Sequence, residues 1–265
     1  MTFHRFTLEN GLRVAWAPRD TARFASQLRV YHGAAQERAG EEGLAHFLEH
    51  LVWSSGGAGL NADEADMLRN SAGYSNAVTN MKSTTYHFSD MGEGFEDALK
   101  LFKACFTPSF DESVIERERK RVLREIKDIA HNGPYRGRKL VDNLFLEKGD
   151  PRLRDIGGQE SVVASATSES ISAFHQRGYG PKNALLVIAG GMPLNAEDLI
   201  KRHLGNLPAG SGEPYAFSPN VQLNKPHWHE LSAPELASRD SSEDSSCALD
   251  ILMNALTLRN NCYHP

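Results

Sequence analysis

The sequence has little cysteine, no excess of basic residues and no long apolar run. Its three cysteines, Cys105, Cys247 and Cys262, are too few and too scattered for a disulfide framework, and no Cys-x-x-Cys pair predicts a cysteine-based metal site. With 29 Lys and Arg against 34 Asp and Glu, the formal net charge is −5, which argues against nucleic acid as the main partner. No stretch approaches the ~18 apolar residues of a membrane span, so we expect no membrane segment.

The composition that is present is that of an ordinary globular protein. Of the 265 residues, 40% are hydrophobic and 24% are charged. The first residues alternate between apolar and polar, without the basic stretch and hydrophobic block of a secretion signal. Together with the low cysteine content, this pattern predicts a cytoplasmic protein.

Blocks of strand-like and helix-like patterns follow one another over residues 1–210. Asn10-Gly11 supplies the positive φ angles of a tight hairpin between the first two strands. Strand patterns occupy residues 3–8, 12–16, 28–32, 73–79, 83–89 and 184–189. Helical patterns occupy residues 42–53, a segment from Asn61, and residues 93–106, 111–131, 136–147, 168–178 and 195–204. The order predicts a two-layer α+β domain, in which helices cover a mainly antiparallel sheet.

The remainder of the chain differs in character. Prolines and a polar run at 238–246 predict a linker over residues 211–246. An amphipathic stretch then follows within residues 247–265, which we interpret as a short stub of further structure.

The sharpest chemical feature is the segment His46-Phe47-Leu48-Glu49-His50 on the predicted helix 42–53. Residues four apart lie on one face of a helix, so His46 and His50 can direct an imidazole nitrogen each to one point, with Glu49 beside it. The order H-x-x-E-H is the inverse of the H-E-x-x-H zinc peptidase motif. Chance placement of these residues on a solvated helix face is the competing interpretation.

A third metal ligand would decide between these interpretations. The predicted helix 111–131 offers Glu112, Glu116, Glu118 and Glu125. Glu118 and Glu125 are seven residues apart and therefore share one face, so either can complete the site while the other orients a histidine. For Glu112 and Glu116, a plain charged helix face is the better interpretation.

Two segments together resemble a known family signature. They are Gly43-Leu-Ala-His-Phe-Leu-Glu-His50 and Glu116-Arg-Glu-Arg-Lys-Arg-Val-Leu-Arg-Glu125-Ile, supported by matches around residues 73–79, 85–86 and 179–183. Over about residues 5–205 the sequence resembles the insulinase or pitrilysin family of zinc metallopeptidases, including its processing-peptidase branch.

The resemblance assigns roles to individual residues. It implies one Zn²⁺ per chain, with His46, His50 and Glu125 as ligands. Glu49 is then the general base, and Glu118 is the acid that supports a ligand. The edge strand that would hold an extended substrate falls on residues 75–79, with Asn76 and Ala77 as the candidate contacts. A simple strand end, at which Asn favours a turn, is the competing interpretation of these two residues.

The resemblance also implies a clamshell of two homologous halves, of which residues 1–210 correspond to one and the stub at 247–265 resembles the start of the second. We therefore expect a zinc endopeptidase that cleaves peptides or unfolded polypeptide segments and needs a second half or a homologous partner subunit for full activity. The alternative is a non-catalytic peptide-binding or assembly subunit of a heteromeric peptidase.

Overall fold

The computed structural model describes residues 4–146, 150 and 153–212, apart from the side chains at positions 144 and 145. The predicted linker over 211–246 lies outside the described residues except for its first two positions, and the stub at 247–265 lies outside them entirely. The boundary predicted at residue 210 therefore stays a prediction. No helix in the described part of the chain is long and apolar enough to cross a membrane.

One mixed sheet of six strands organises the described residues. The strands are β1 (His4–Thr7), β2 (Arg13–Pro18), β3 (Arg23–Val30), β4 (Tyr74–Thr79), β5 (Thr84–Met91) and β6 (Ala184–Gly190). Their order across the sheet is β1-β2-β6-β3-β5-β4. The β2–β6 pair is parallel and the other four pairs are antiparallel, which confirms the predicted α+β class with a mainly antiparallel sheet.

Eight α-helices accompany the sheet within the described residues. They are α1 (Leu44–Ser54), α2 (Ala62–Ser71), α3 (Phe95–Phe106), α4 (Glu112–His131), α5 (Gly133–Phe145), α6 (Glu160–Ser165), α7 (Ser168–Gly178) and α8 (Ala196–Leu204). Helix α2 begins as predicted, because Asn61 and Glu64 form a reciprocal cap. The short helix α6 was not predicted, since six residues carry too little periodicity to be recognised.

The core lies between one face of the sheet and the helices. Alternate residues of β3 point into it, and Leu28 and Val30 are fully buried there. The strand begins at Arg23, five residues earlier than predicted. Its first half is only moderately apolar, and its burial comes from pairing with β5 and β6 rather than from local sequence.

Contacts divide the described residues into two compact units, residues 4–123 with 155–212 and residues 124–146 with 150 and 153–154. The first unit contains the sheet, helices α1 to α3 and α6 to α8, and most of α4. In the described part of the second unit, Asn132 caps α5 by accepting a hydrogen bond from the Tyr135 amide, and Lys139 donates to the Leu153 carbonyl. The division falls inside α4, which is one continuous helix.

Candidate metal centre

Helix α1 is a rigid support because its apolar side is buried. Phe47, Leu48, Leu51 and Val52 are at most 2% exposed. Burying such side chains contributes roughly 1.5–3 kcal/mol each. The helix begins at Leu44 rather than at residue 42, because Gly43 has a φ of 103°, which no α-helix accommodates.

The two histidines of α1 face each other. His46 Nε2 and His50 Nε2 are 3.2 Å apart, and the two rings are nearly perpendicular. Two nitrogens bound to one tetrahedral zinc at ~2.0–2.1 Å are separated by about 3.4 Å. Burial, aided by the neighbouring His50, lowers the pKa of His46 to about 4. The imidazole is therefore neutral at pH 7, the form that a metal ion requires.

Helix α4 brings a carboxylate to this pair. A carboxylate oxygen of Glu125 and one nitrogen each from His46 and His50 all lie within 4.8 Å of one another. Two imidazoles and one carboxylate are a donor set that suits zinc and leaves a fourth position open. The residues brought together are the three that the family resemblance implied as ligands.

Glu118 lies behind the histidine pair, two helical turns before Glu125. Its Oε2 is 3.4 Å from His50 Nδ1, and Oε1 accepts a hydrogen bond from Arg117 at 3.1 Å. Burial by itself raises the pKa of the Glu118 carboxyl, but hydrogen bonds from His50, Arg117 and Ser54 outweigh it and lower the pKa to about 2. A carboxylate that accepts the Nδ1 proton favours the tautomer of His50 in which Nε2 carries the lone pair that can ligate a metal.

Glu49 lies on α1 between the two histidines and is 8% exposed. The hydroxyls of Tyr86 and Tyr179 are hydrogen-bonded to each other at 2.8 Å beneath the helix. Burial is the main reason why the pKa of each phenol is raised, and the charge of Glu49 is a smaller contribution. Both phenols therefore remain neutral near the carboxylate of Glu49.

The predicted substrate contacts lie on β4, which is the end strand of the described sheet. Asn76 is exposed and Ala77 is half-buried. The Asn76 Oδ1 accepts a hydrogen bond from the Ala77 amide, and its Nδ2 donates to the Tyr74 hydroxyl. Helix α1 packs on this strand, so the sheet edge and the histidine pair belong to one region of the fold.

Sequence reasoning missed two buried charged residues beside the site. Arg119 donates to the carbonyls of Val163 and Ala166 and lies over the ring of Phe47. Glu37 is 3% exposed and accepts hydrogen bonds from the start of α1.

A signal for Arg119 was present in the sequence. It shares a stripe of helical spacing with Ile115, Glu118 and Val122, all four of which are buried. Glu37 has no comparable local signal, because its partners follow it by six and eight residues across a turn. Glu112 and Glu116 are exposed, in agreement with the charged-face interpretation.

Comparison with known proteins gives the same family. The sequence profile described as Insulinase (Peptidase family M16) matches residues 13–147, about half of the chain, and the profile described as Peptidase M16 inactive domain matches residues 165–259. The chloroplastic stromal processing peptidase of Arabidopsis thaliana is 30% identical over 223 residues, which are 79% of this chain and 16% of that protein.

Two further matches show how much of each relative is covered. The mitochondrial-processing peptidase subunit beta of Saccharomyces cerevisiae is 26% identical over 82% of this chain and 47% of its own length. The crystal structure of the first half of the periplasmic protease PqqL from Escherichia coli shares the fold, with a TM-score of 0.73, 24% identity, and coverage of 82% of this chain and 48% of that one. The chain thus spans less than half of each of these three relatives. The profile match over residues 13–147 shows that it belongs to the insulinase family, peptidase family M16.

Proposed function

We propose that this chain carries the zinc-binding half of a metalloendopeptidase that cleaves peptides or unfolded polypeptide segments. In this proposal, His46, His50 and Glu125 hold one zinc ion, Glu49 is the general base, and Glu118 orients His50. Its relatives are named as peptidases, which supports peptide hydrolysis as the general reaction.

The convergence of three donor groups carries the proposal. His46 and His50 are separated at Nε2 by a distance that fits one tetrahedral ion, and Glu125 adds a carboxylate within 4.8 Å. The buried carboxylate of Glu118 lies 3.4 Å from Nδ1 of His50, the ring nitrogen that does not face His46. A subunit with a purely structural role has no physical need for this combination.

Zinc at such a site supplies a Lewis acid and lowers the pKa of water to roughly 7. Glu49 then accepts the proton of the attacking water and returns it to the nitrogen of the leaving amine. Its burial at 8% exposure keeps bulk water away from the carboxylate during this transfer. Glu118 keeps the proton of His50 on Nδ1, so that Nε2 stays available as a ligand throughout.

The substrate, in this proposal, adds to the sheet as an extended strand along β4. Peptides bind to exposed sheet edges through backbone hydrogen bonds, which favours unfolded segments over folded proteins. On β4 the Ala77 amide donates to the Asn76 Oδ1, so Asn76 must release it before a peptide can accept its hydrogen bond.

Full activity is proposed to require a second homologous half, supplied by a partner chain or by further sequence. One relative is named as a subunit, and this chain spans 47% of its length. A wall opposite the metal would position the peptide and supply groups that stabilise the developing oxyanion.

The test combines metal analysis with one conservative substitution. The purified chain is expected to bind one zinc, and E49Q should retain that zinc. With a homologous half present, hydrolysis of an unfolded protein substrate by E49Q should fall by at least about 100-fold relative to the parent. The exposed E112Q on α4 is the matched control and should change neither measurement. A parent chain that binds no zinc, or E49Q with undiminished hydrolysis, would contradict the proposal.

The non-catalytic alternative has one observation in its favour, the match of residues 165–259 to a profile described as an inactive domain. All three candidate metal ligands lie outside those residues. A chain that binds peptides but lacks zinc and hydrolyses nothing, alone or with a homologous half, would favour this alternative.

A further inference from the structure

The amino terminus of α1 has no cap from its own sequence. The residue at the cap position is Gly43, which has no side chain to accept a hydrogen bond from the first turn. Its φ of 103° excludes the usual capping residues Ser, Thr and Asp without strain. A Cβ at this position would also lie 2.9 Å from the Gly157 carbonyl oxygen, so the site admits glycine only.

Glu37 performs the capping from a distance. Its Oε1 accepts hydrogen bonds from the amides of Gly43, at 3.0 Å, and Ala45, at 2.9 Å. The side chain is buried, with 3% of the residue exposed. The Leu44 amide between them donates to the Glu41 carbonyl, so three successive amides at the start of the helix have acceptors.

The location of His46 makes this cap relevant to the metal centre. His46 is the third residue of α1 and lies in its first turn, whereas His50 and the buried Leu51 lie a full turn further in. Helix ends fray unless their unpaired amides are satisfied. A carboxylate at a helix amino terminus is favoured both by hydrogen bonding and by the helix dipole.

We propose that Glu37 is a positioning residue for the metal centre, which holds the first turn of α1 so that the His46 Nε2 stays at ligating distance from the His50 Nε2. This inference rests on the proposed zinc site. It predicts that Glu37 determines metal affinity more strongly than overall stability, because Phe47, Leu48 and Leu51 anchor the rest of α1 independently.

The experiment compares E37A and E37Q with a matched pair, E42A and E42Q. Glu42 directly precedes the cap residue Gly43, but its side chain accepts a hydrogen bond from the Gly40 amide, which lies outside the helix. Zinc affinity is measured by competition with a chelator, and ligand geometry is measured from the visible spectrum of the Co²⁺-substituted protein. Hydrogen exchange of the Ala45 amide in the metal-free chain gives a readout independent of metal.

E37A is expected to bind zinc about 10–100-fold more weakly than the parent, the range seen for groups that support metal ligands. Its Co²⁺ spectrum should lose intensity and its Ala45 amide should exchange faster. E37Q keeps one carbonyl oxygen as an acceptor and should recover most of the affinity, while both Glu42 variants should match the parent.

Three outcomes would overturn the inference: a folded E37A with parental zinc affinity and spectrum, an E37Q as impaired as E37A, or Glu42 variants as impaired as those of Glu37. If E37A does not fold, E37Q decides. An Ala45 amide that exchanges faster than in the parent, while zinc affinity and cobalt spectrum stay parental, would contradict the proposal. Exchange, affinity and spectrum that all stay close to the parent would support it, because the amide oxygen keeps the cap. A parent chain without zinc would instead refute the proposed function, and the Ala45 exchange rate would still report on the cap.

Discussion

Helix α1 is short and mostly apolar, whereas α4 is nearly twice as long and mostly charged. Helix α1 is held in place by the burial of Phe47, Leu48 and Leu51, and this burial fixes the positions of its two histidines. Helix α4 buries Glu118 and Arg119 among a few apolar residues, and directional hydrogen bonds fix its position. The candidate centre therefore combines two histidines on a helix held by packing with an acid, Glu118, on a helix held by polar contacts.

The largest effect is expected when a ligand itself is removed. H46A and H50A should each abolish stoichiometric zinc binding, because α1 supplies two of the three donors and a remaining pair holds zinc weakly. E125Q on α4 should weaken binding less, since its amide oxygen remains a poor ligand. Metal analysis after dialysis against a weak chelator ranks the three. If all three variants lose zinc binding equally, the ligands on α1 and the ligand on α4 contribute equally to zinc affinity.

The next effect concerns how α4 is held. R119A should lower the free energy of unfolding by about 3 kcal/mol, because the buried carbonyls of Val163 and Ala166 lose their donor. R121A is the matched control; Arg121 is largely exposed and 3.9 Å from Glu118, so its loss should cost less than about 0.5 kcal/mol. Urea denaturation measures both. If the two variants are equally stable, hydrogen bonding through Arg119 does not fix α4.

A smaller effect is expected from the acid behind the histidine pair. E118Q should weaken zinc binding about 10–100-fold while leaving the fold intact, because the amide no longer favours the Nδ1 proton of His50 as strongly. E112Q, on the exposed first turn of α4, serves as the control. Chelator competition measures both affinities. Parental affinity in E118Q would mean that packing alone orients His50.

The smallest effect is a pH dependence of the free energy of unfolding, and it comes from a histidine on the helix that packs against α1. Helix α7 packs against α1, and burial lowers the pKa of its His175 to about 4, although a hydrogen bond to the Cys105 carbonyl partly offsets the shift. Between pH 6.5 and 4 the unfolded chain binds a proton that the folded chain excludes, so stability falls as the pH falls through that window.

For His175 the loss amounts to about 1 kcal/mol at pH 5.5 relative to pH 7.5. Denaturation of the metal-free chain at the two pH values measures it, and H175Q should reduce the difference by that amount. An unchanged difference in H175Q would show that His175 does not contribute.

The sequence predicts best what local spacing determines. His46, Glu49 and His50 share one helix, and Asn61 with Glu64 forms a cap within four residues, so both are visible in a short window. The antiparallel pairing of β4 with β5 follows from two adjacent β-rich segments. The choice of Glu125 came from the family resemblance, since spacing alone left Glu118 equally possible.

What escaped prediction depends on residues far apart in the chain. Arg119 is buried because carbonyls more than forty residues later accept its hydrogen bonds. Glu37 caps a helix across a turn that no periodicity announces. In both cases a charged residue is expected to be exposed, but it is buried because the tertiary fold supplies a hydrogen-bonding partner from a distant part of the chain.

The position of β6 in the sheet has a consequence for the order in which this protein folds during synthesis. Strand β6 inserts between β2 and β3, and Arg13 pairs with Leu185. A ribosome must therefore release residue 190 before the amino-terminal hairpin has a neighbouring strand, whereas β3, β4 and β5 can pair much earlier. An isolated hairpin is marginally stable, and such long-range pairing is slow. Nascent chains that stall before residue 184 leave the hairpin β1–β2 exposed to chaperones and proteases, while helix α1 already has most of its sheet beneath it.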